Sequence, residues 1–446
     1  MSRRRRPLPT RPPRPVWIWL LPLVLVPLTV WAGVRWATRP QNPPLQAAAR
    51  GRTVEQDWAQ LRSFGPRPAG TAGHDRAADW LAAQLRALGY RVTEQPVELS
   101  RPFDQGSTLE VGGRRFQGTA LYGSSGGEQQ APLLRVPADP TAAQLEALGA
   151  QSRLVVAPCG RLPWNEVADR VVRAGAVGLV MADVCPPGAL QKLENAPLPM
   201  VSLRGEAAQA VLRLNGQPAT LRSAVTLRPV AGRNLVAARV GAAPHVLLGA
   251  HFDTVNGTVG ANDNASGVLA LLDTARRAAG TPLADQLWLV LFDAEEDGLV
   301  GSRAFVRGYS PSLRVTRAML NLDMVGVAAE PLGVASDADD LIAAARAARP
   351  ALRVFEDAPA STRVTFGRVP VVRGRSDHVS FKAIGLRTLF LHRGKDAQYH
   401  APGDRQLNAG LVRQTSEVVL DVVGEVLKGP WTPRVPCGLT GRDCRY

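Results

Sequence analysis

Residues 245–279, HVLLGAHFDTVNGTVGANDNASGVLALLDTARRAA, followed at 286–296 by QLWLVLFDAEE, decide the fold. The short apolar run 245–250 ends in His251-Phe-Asp253. A glycine-rich turn then opens a helix-periodic stretch at 266–279, and a second apolar run, 286–292, ends in Asp293-Ala-Glu295-Glu296. Unbroken apolar strands alternating with helical periodicity predict βαβ units in a parallel sheet covered on both faces. The alternation continues with a helix at 302–307, a strand at 318–322, a helix at 339–348, a strand at 387–391 and a helix at 412–427. Upstream, a helix at 75–88 stopped by Gly89 and a strand at 90–97 add one more α/β unit. The fold class is therefore α/β, a doubly wound and mostly parallel sheet.

Between 101 and 225 the texture changes to short strands and glycine-rich turns with one helix near 167–174, so this segment reads as an inserted β-rich domain. The main domain is then 52–98 together with 226–428. At the N-terminus, residues 16–34 carry no charge and as a helix span roughly 28 Å, close to the hydrocarbon thickness of a bilayer. Trp17, Trp19, Trp31 and Trp36 sit near its ends, and Arg3, Arg4, Arg5, Arg6, Arg11 and Arg14 precede it. That pattern predicts a cytoplasmic basic tail at 1–15, a single-pass anchor in the cell membrane at 16–36, and an extracytoplasmic remainder, with a cleaved signal peptide as the alternative reading of the same run. The Pro- and Ala-rich residues 37–51 read as a linker, and 429–446 as a C-terminal tail. The net charge of +15 includes no basic patch interleaved with aromatic residues, which excludes a nucleic-acid groove. Cys159 and Cys185 in the insert, and Cys437 and Cys444 in the tail, suit two local disulfides in an exported chain.

Chemistry gathers at the strand ends. His251 and Asp253 follow one strand, Glu295 and Glu296 the next, Asp323 a third, and Tyr399-His400 stand in the segment after a fourth. Ligands of an open α/β sheet bind beyond the carboxyl ends of its strands, so residues distant in sequence converge on one edge. Asp263 joins them from the loop that opens helix 266–279. Singly these residues say little, since Asp263 alone would be a helix N-cap and Glu295-Glu296 a solvated turn. Together, two imidazoles and three carboxylates make a donor set suited to zinc more than to magnesium or calcium. The predicted metal ligands are His251, Asp263, Glu296, Asp323 and His400. His378 reads equally as a support of this centre or as a structural residue, and His74, His245 and His392 read as structural.

The chain also resembles a known family. The ordered pieces FGPRPAG at 64–70, His251-Phe-Asp253, GANDNASG at 260–267, Glu295-Glu296 with Gly301-Ser302, NLD at 321–323, SDH at 376–378 and YHAP at 399–402 with Asp404 resemble the extracellular double-zinc aminopeptidases, relatives of glutamate carboxypeptidase and the transferrin receptor. The middle segment, with LVVAPC at 154–159 and LPMVS at 198–202, resembles a diverged protease-associated insert. The resemblance implies two zinc ions per chain and hydrolysis of N-terminal residues of peptides. It puts His251 and Asp323 on one zinc, Glu296 and His400 on the other, and Asp263 on both. It implies that Asp253 holds the His251 ring, that Glu295 is the general base and that Tyr399 donates to the tetrahedral oxyanion. A cis peptide after Asp263 is also implied. Asn262 departs from relatives that often place a second acid there. A single-zinc glutaminyl cyclase is disfavoured by Asn264-Ala-Ser-Gly267 after the bridging aspartate, and a metal-free receptor or scaffold by the complete ligand set.

Overall fold

The structure, a computed structural model, describes residues 43–121, 124–162, 164–182, 198–356, 361–366, 369–373 and 376–429. Its first eight-stranded sheet contains β1 (Arg91–Asp104), β2 (Val225–Ala238), β3 (Val246–His251), β4 (Leu287–Phe292), β5 (Ala318–Leu322), β6 (Gly333–Ala335), β7 (Arg353–Val354) and β8 (Thr388–His392), in the order β1-β2-β4-β3-β5-β8-β6-β7. The central strands β4, β3, β5 and β8 are parallel, as expected. The flanks differ, because β2 runs antiparallel to β4 and β6 antiparallel to β8. At two or three residues, β6 and β7 are too short to show a period in sequence.

Side chains alternate across the central strands and so supply two cores. On one face Leu248, Leu289, Leu320 and Leu389 pack with helices α1 (Ala72–Ala87), α2 (Ser266–Ala278), α4 (Asp339–Ala348) and α5 (Ala409–Lys428). On the other, Leu247, Val290, Phe292 and Met319 pack with Phe305 of helix α3 (Val300–Tyr309) and with Phe381. The chain leaves β3 through α2 on one face to reach β4, then returns through α3 on the other face to β5. This reversal opens a crevice beyond the carboxyl ends of β3 and β5. Among the residues of α2, Arg277 alone is not buried, and small residues on its first turn let it approach the strand ends closely.

The second eight-stranded sheet is built from strands lying between Thr108 and Ser223. Its strands Gly127–Arg135, Leu154–Pro158, Gly178–Ala182 and Met200–Leu203 are parallel, with apolar clusters on both faces. The helix Trp164–Arg173 matches the expected one, and the short helices Ala142–Ala147 and Gly205–Val211 are additional. Cys159 is disulfide-bonded, whereas Cys185, Cys437 and Cys444 lie outside the described residues.

Residues 43–51, expected as linker, form a helix whose Ala49 is buried and accepts a hydrogen bond from Arg276 of α2. The expected anchor at 16–36 and the tail at 1–15 lie outside the described residues. No helix among the described residues is long and apolar enough to cross a membrane. The longest, α5, carries Arg413, Glu417, Asp421 and Glu425 at four-residue spacing. The expected single-pass placement thus has no crossing helix in the described fold to rest on.

The approach of α2 to β5 is testable at Gly267. A Cβ there would collide with the Leu322 carbonyl and the Asn264 amide. Gly267→Ala is expected to lower stability by about 1–3 kcal/mol in urea unfolding, despite the better helix propensity of alanine.

Candidate metal centre

His251 is the last residue of β3, Glu295 and Glu296 follow β4, and Asp323 follows β5. His400 stands in the loop between β8 and α5. The five predicted ligands meet at the crevice, where two donor groups form: His251, Asp263 and Asp323, and Asp263, Glu296 and His400. Asp263 is common to both. Its Oδ1 lies 3.2 Å from His251 Nε2, and its Oδ2 lies 3.1 Å from His400 Nε2. Asp323 Oδ1 is 3.6 Å from His251 Nε2, and Glu296 Oε2 is 3.2 Å from His400 Nε2. His251, Glu295 and Glu296 make a third group within ligand reach of one another.

Local backbone chemistry fixes these positions. Asp404 accepts the backbone N–H of Asn262 through Oδ1 (2.8 Å) and that of Asp263 through Oδ2 (3.0 Å). Asn262 Oδ1 and Ser266 Oγ accept the N–H groups of Gly326 and Val325, which ties the Asp263 loop to the segment after β5. The Asp263–Asn264 peptide is cis, as the family resemblance implied. Asp253 lies 3.4 Å from His251 Nδ1, and its two oxygens also accept the N–H groups of Glu295 and Glu296, each at 3.1 Å. It therefore touches both the imidazole and the turn that carries the two glutamates. Ala294, Leu299, Met324 and His400 adopt left-handed φ values of 53–59°, leaving Asp139 and Ser152 as the other such non-glycine residues among those described. Such conformations cost of order 1–3 kcal/mol each and persist where the surroundings over-determine them.

Three supports were not legible as such. His74, read as structural, stacks on Phe252 and lies 2.8 Å from Asp293, at the root of the glutamate turn. Asp293 also accepts the Arg233 N–H at 2.6 Å. Its place directly after an apolar strand, like that of His251, was the available signal. His392 faces the Asp323 carbonyl at 2.8 Å. His378 is buried and stacks on Phe390 with centroids 4.5 Å apart, and it belongs to none of the donor groups found among the described residues.

Crowding of acids shapes the proton affinities. Burial pushes the Glu295 carboxyl well above its ordinary range; His251 opposes that rise, while Glu296, Asp377 and Asp323 add to it. Burial raises Glu296 to about 7 against the pull of His400. For His400 burial works downward, but Glu296 and Asp263 hold it up at about 11. Asp263 stays far below the carboxylate range despite burial, because both imidazoles face it. The donor set fits a metal pair on this evidence. Glu296 Oε1 and Asp323 Oδ1 are buried with no protein hydrogen-bond partner, and nitrogen and carboxylate donors of this mixture suit zinc.

Comparison with known proteins agrees with the geometry. The model of peptidase family M28 matches residues 234–423. The chain is 29% identical over 288 residues to the probable lipoprotein aminopeptidase LpqL of Mycobacterium tuberculosis, covering 60% of this chain and 57% of that protein. It is 26% identical over 396 residues to aminopeptidase YwaD of Bacillus subtilis, covering 83% and 84% of the two chains. Its fold matches the structure of BSAP, a zinc aminopeptidase from Bacillus subtilis, with a TM-score of 0.63 at 23% identity, over 84% of this chain and 95% of that one. The mycobacterial relative is named as a lipoprotein, not as a membrane-spanning protein. With no crossing helix among the described residues, that finding overturns the single-pass location expected from residues 16–34.

Two outcomes follow from the shared carboxylate and the raised imidazole. Asp263→Ala should lose both metals in elemental analysis, where loss of one would contradict sharing. Protons bound to His400 and Glu296 compete with the metal, so zinc affinity of the metal-free protein should rise as pH is raised from about 5 to about 8, with proton release visible in calorimetry. The donors of both groups all fall within residues 234–423, the segment that matches the model of peptidase family M28.

Proposed function

We propose that the chain is a zinc-dependent aminopeptidase, which holds two zinc ions and hydrolyses the peptide bond after the N-terminal residue of its substrates. The observation that carries this reading is Asp263, with one carboxylate oxygen facing His251 and the other facing His400. The family match and the aminopeptidase relatives support it.

On this reading His251, Asp263 and Asp323 would hold one zinc, and Asp263, Glu296 and His400 the other. Zinc bound there would lower the pKa of an attacking water and polarise the scissile carbonyl. Glu295 accepts that water's proton on its carboxylate and delivers it to the leaving amine nitrogen. Burial among neighbouring acids raises its proton affinity, which suits a base that must also give the proton up. Asp253 orients the His251 ring and, through two backbone N–H groups, the glutamate turn. The Tyr399 ring stacks on His400 at 3.8 Å, and burial and the nearby acids push its phenol well above the usual range. It therefore keeps its proton and donates to the developing oxyanion. The chain divides in this proposal into a peptidase domain at 52–98 and 226–428 and a protease-associated-like insert at 101–225. The second sheet, spanning Thr108 to Ser223, supports that division.

Glu295 and Glu296 separate the roles. Glu295→Gln should retain both zinc ions and lose turnover by about 100- to 10,000-fold with KM little changed. Glu296→Ala should lose a zinc. A Glu295→Gln protein of near-normal rate, or one that loses a metal while Glu296→Ala keeps both, would reverse the assignment and favour the His251, Glu295 and Glu296 group. Amino-acid anilides should be hydrolysed and their N-acetylated forms spared, and cleavage of the blocked forms would refute aminopeptidase action.

A further inference from the structure

The FGPRPAG stretch at 64–70 supplies no member of either donor group, yet its Arg67 is the largest fully buried side chain among the described residues. Its guanidinium donates from Nε to the Phe252 carbonyl (2.9 Å), from Nη1 to the Val259 carbonyl (2.7 Å) and from Nη2 to the Gly260 carbonyl (3.4 Å). Its backbone N–H donates to Thr254 Oγ1 (2.9 Å), and its carbonyl accepts the Thr254 N–H (3.3 Å). Every one of these partners lies in the loop that leaves His251 and returns toward Asp263. At the far end of that loop Gly260 is in the left-handed region, and a Cβ there would collide with the Asp263 carbonyl, so Gly260 and Asp263 are closely packed.

A buried cation aimed wholly at backbone carbonyls is costly unless those carbonyls have to be held. Burial lowers the Arg67 pKa to about 10, with Asp253, Asp404 and Asp263 opposing the fall, so the fork stays charged. Asp263 is also gripped from the His400 side, where Asp404 accepts its N–H. The two anchors thus act on different sides of the shared carboxylate.

We propose that Arg67 is a positioning residue for the metal group of His251, Asp263 and Asp323: its planar fork closes the 252–260 loop and so sets the alignment of the His251 imidazole with Asp263, while the Glu296 and His400 side is set by other contacts. This rests on the two-zinc reading above. The fork matters as well as the charge, because a lysine ammonium at that point cannot reach three carbonyls in one plane.

The test reads zinc affinity by chelator competition in two backgrounds. In His400→Ala the remaining zinc belongs to the His251 group, and adding Arg67→Lys or Arg67→Met should weaken it by about 10- to 100-fold. In Asp323→Ala the remaining zinc belongs to the Glu296 and His400 group, and the same substitutions should leave its affinity unchanged. Cobalt in place of zinc gives a second readout, since Arg67→Lys in the His400→Ala background should shift the cobalt d–d absorption bands while far-UV circular dichroism is retained. Arg67→Lys with unaltered affinity, or equal losses in both backgrounds, would overturn the proposal. If the two parent variants did not each hold one zinc, the two-zinc reading itself would fail, and the parents alone would reveal it.

Discussion

Burying many carboxylates together is the problem around which the rest of this molecule is arranged. Asp253, Asp263, Asp323, Asp377 and Asp404 are all buried near one edge of the sheet, with Glu295 and Glu296 beside them. Each such ion costs several kcal/mol to desolvate unless donors or cations face it. The chain answers with backbone N–H groups directed at Asp253 and Asp404, and with His251 and His400 facing Asp263. Buried lone pairs remain on Glu296 Oε1 and Asp323 Oδ1. Cations of the kind a mixed imidazole and carboxylate set binds complete the balance, and the strained φ values at Ala294, Met324 and His400 are conformations that this arrangement imposes.

The sheet explains why this is attainable. A side chain at the end of a buried parallel strand is positioned by the whole strand, and β3, β4 and β5 are adjacent in the sheet although they are drawn from a stretch that runs from Val246 to Leu322. Rigid strands bring the donors to one edge, and the loops need only aim them.

Much of this was legible in sequence for a physical reason. Central strands buried on both faces are continuous apolar runs, and polar residues placed directly after them stand out, which is why His251, Glu296 and Asp323 could be named before the fold was known. Asp263 and His400 have no such strand context, and they were named because together with the strand-end residues they complete one donor set. The supports were harder to read. His74 and Arg67 act through partners 219 and 185 or more residues away, and no local pattern encodes such a distance. The short strands β6 and β7 were invisible because they are too short to carry a period. Residues 43–51 resembled linker because alanine marks a weakly apolar face, whereas Ala49 packs into the core.

The long pair β1 and β2 has a consequence for how the second sheet is carried. Their ladder runs from Arg91 opposite Ala238 to Asp104 opposite Val225, so the chain departs for residues 105–224 and returns from them within one strand spacing, about 5 Å. To the first sheet the whole excursion is a hairpin loop. The entropy of closing a loop grows only logarithmically with its length, so lengthening this one adds little to the cost of assembling the first sheet. An evolving lineage could therefore enlarge, trim or exchange the module beyond Asp104 and Val225 as a cassette, without altering the register of a single strand that ends in a metal donor.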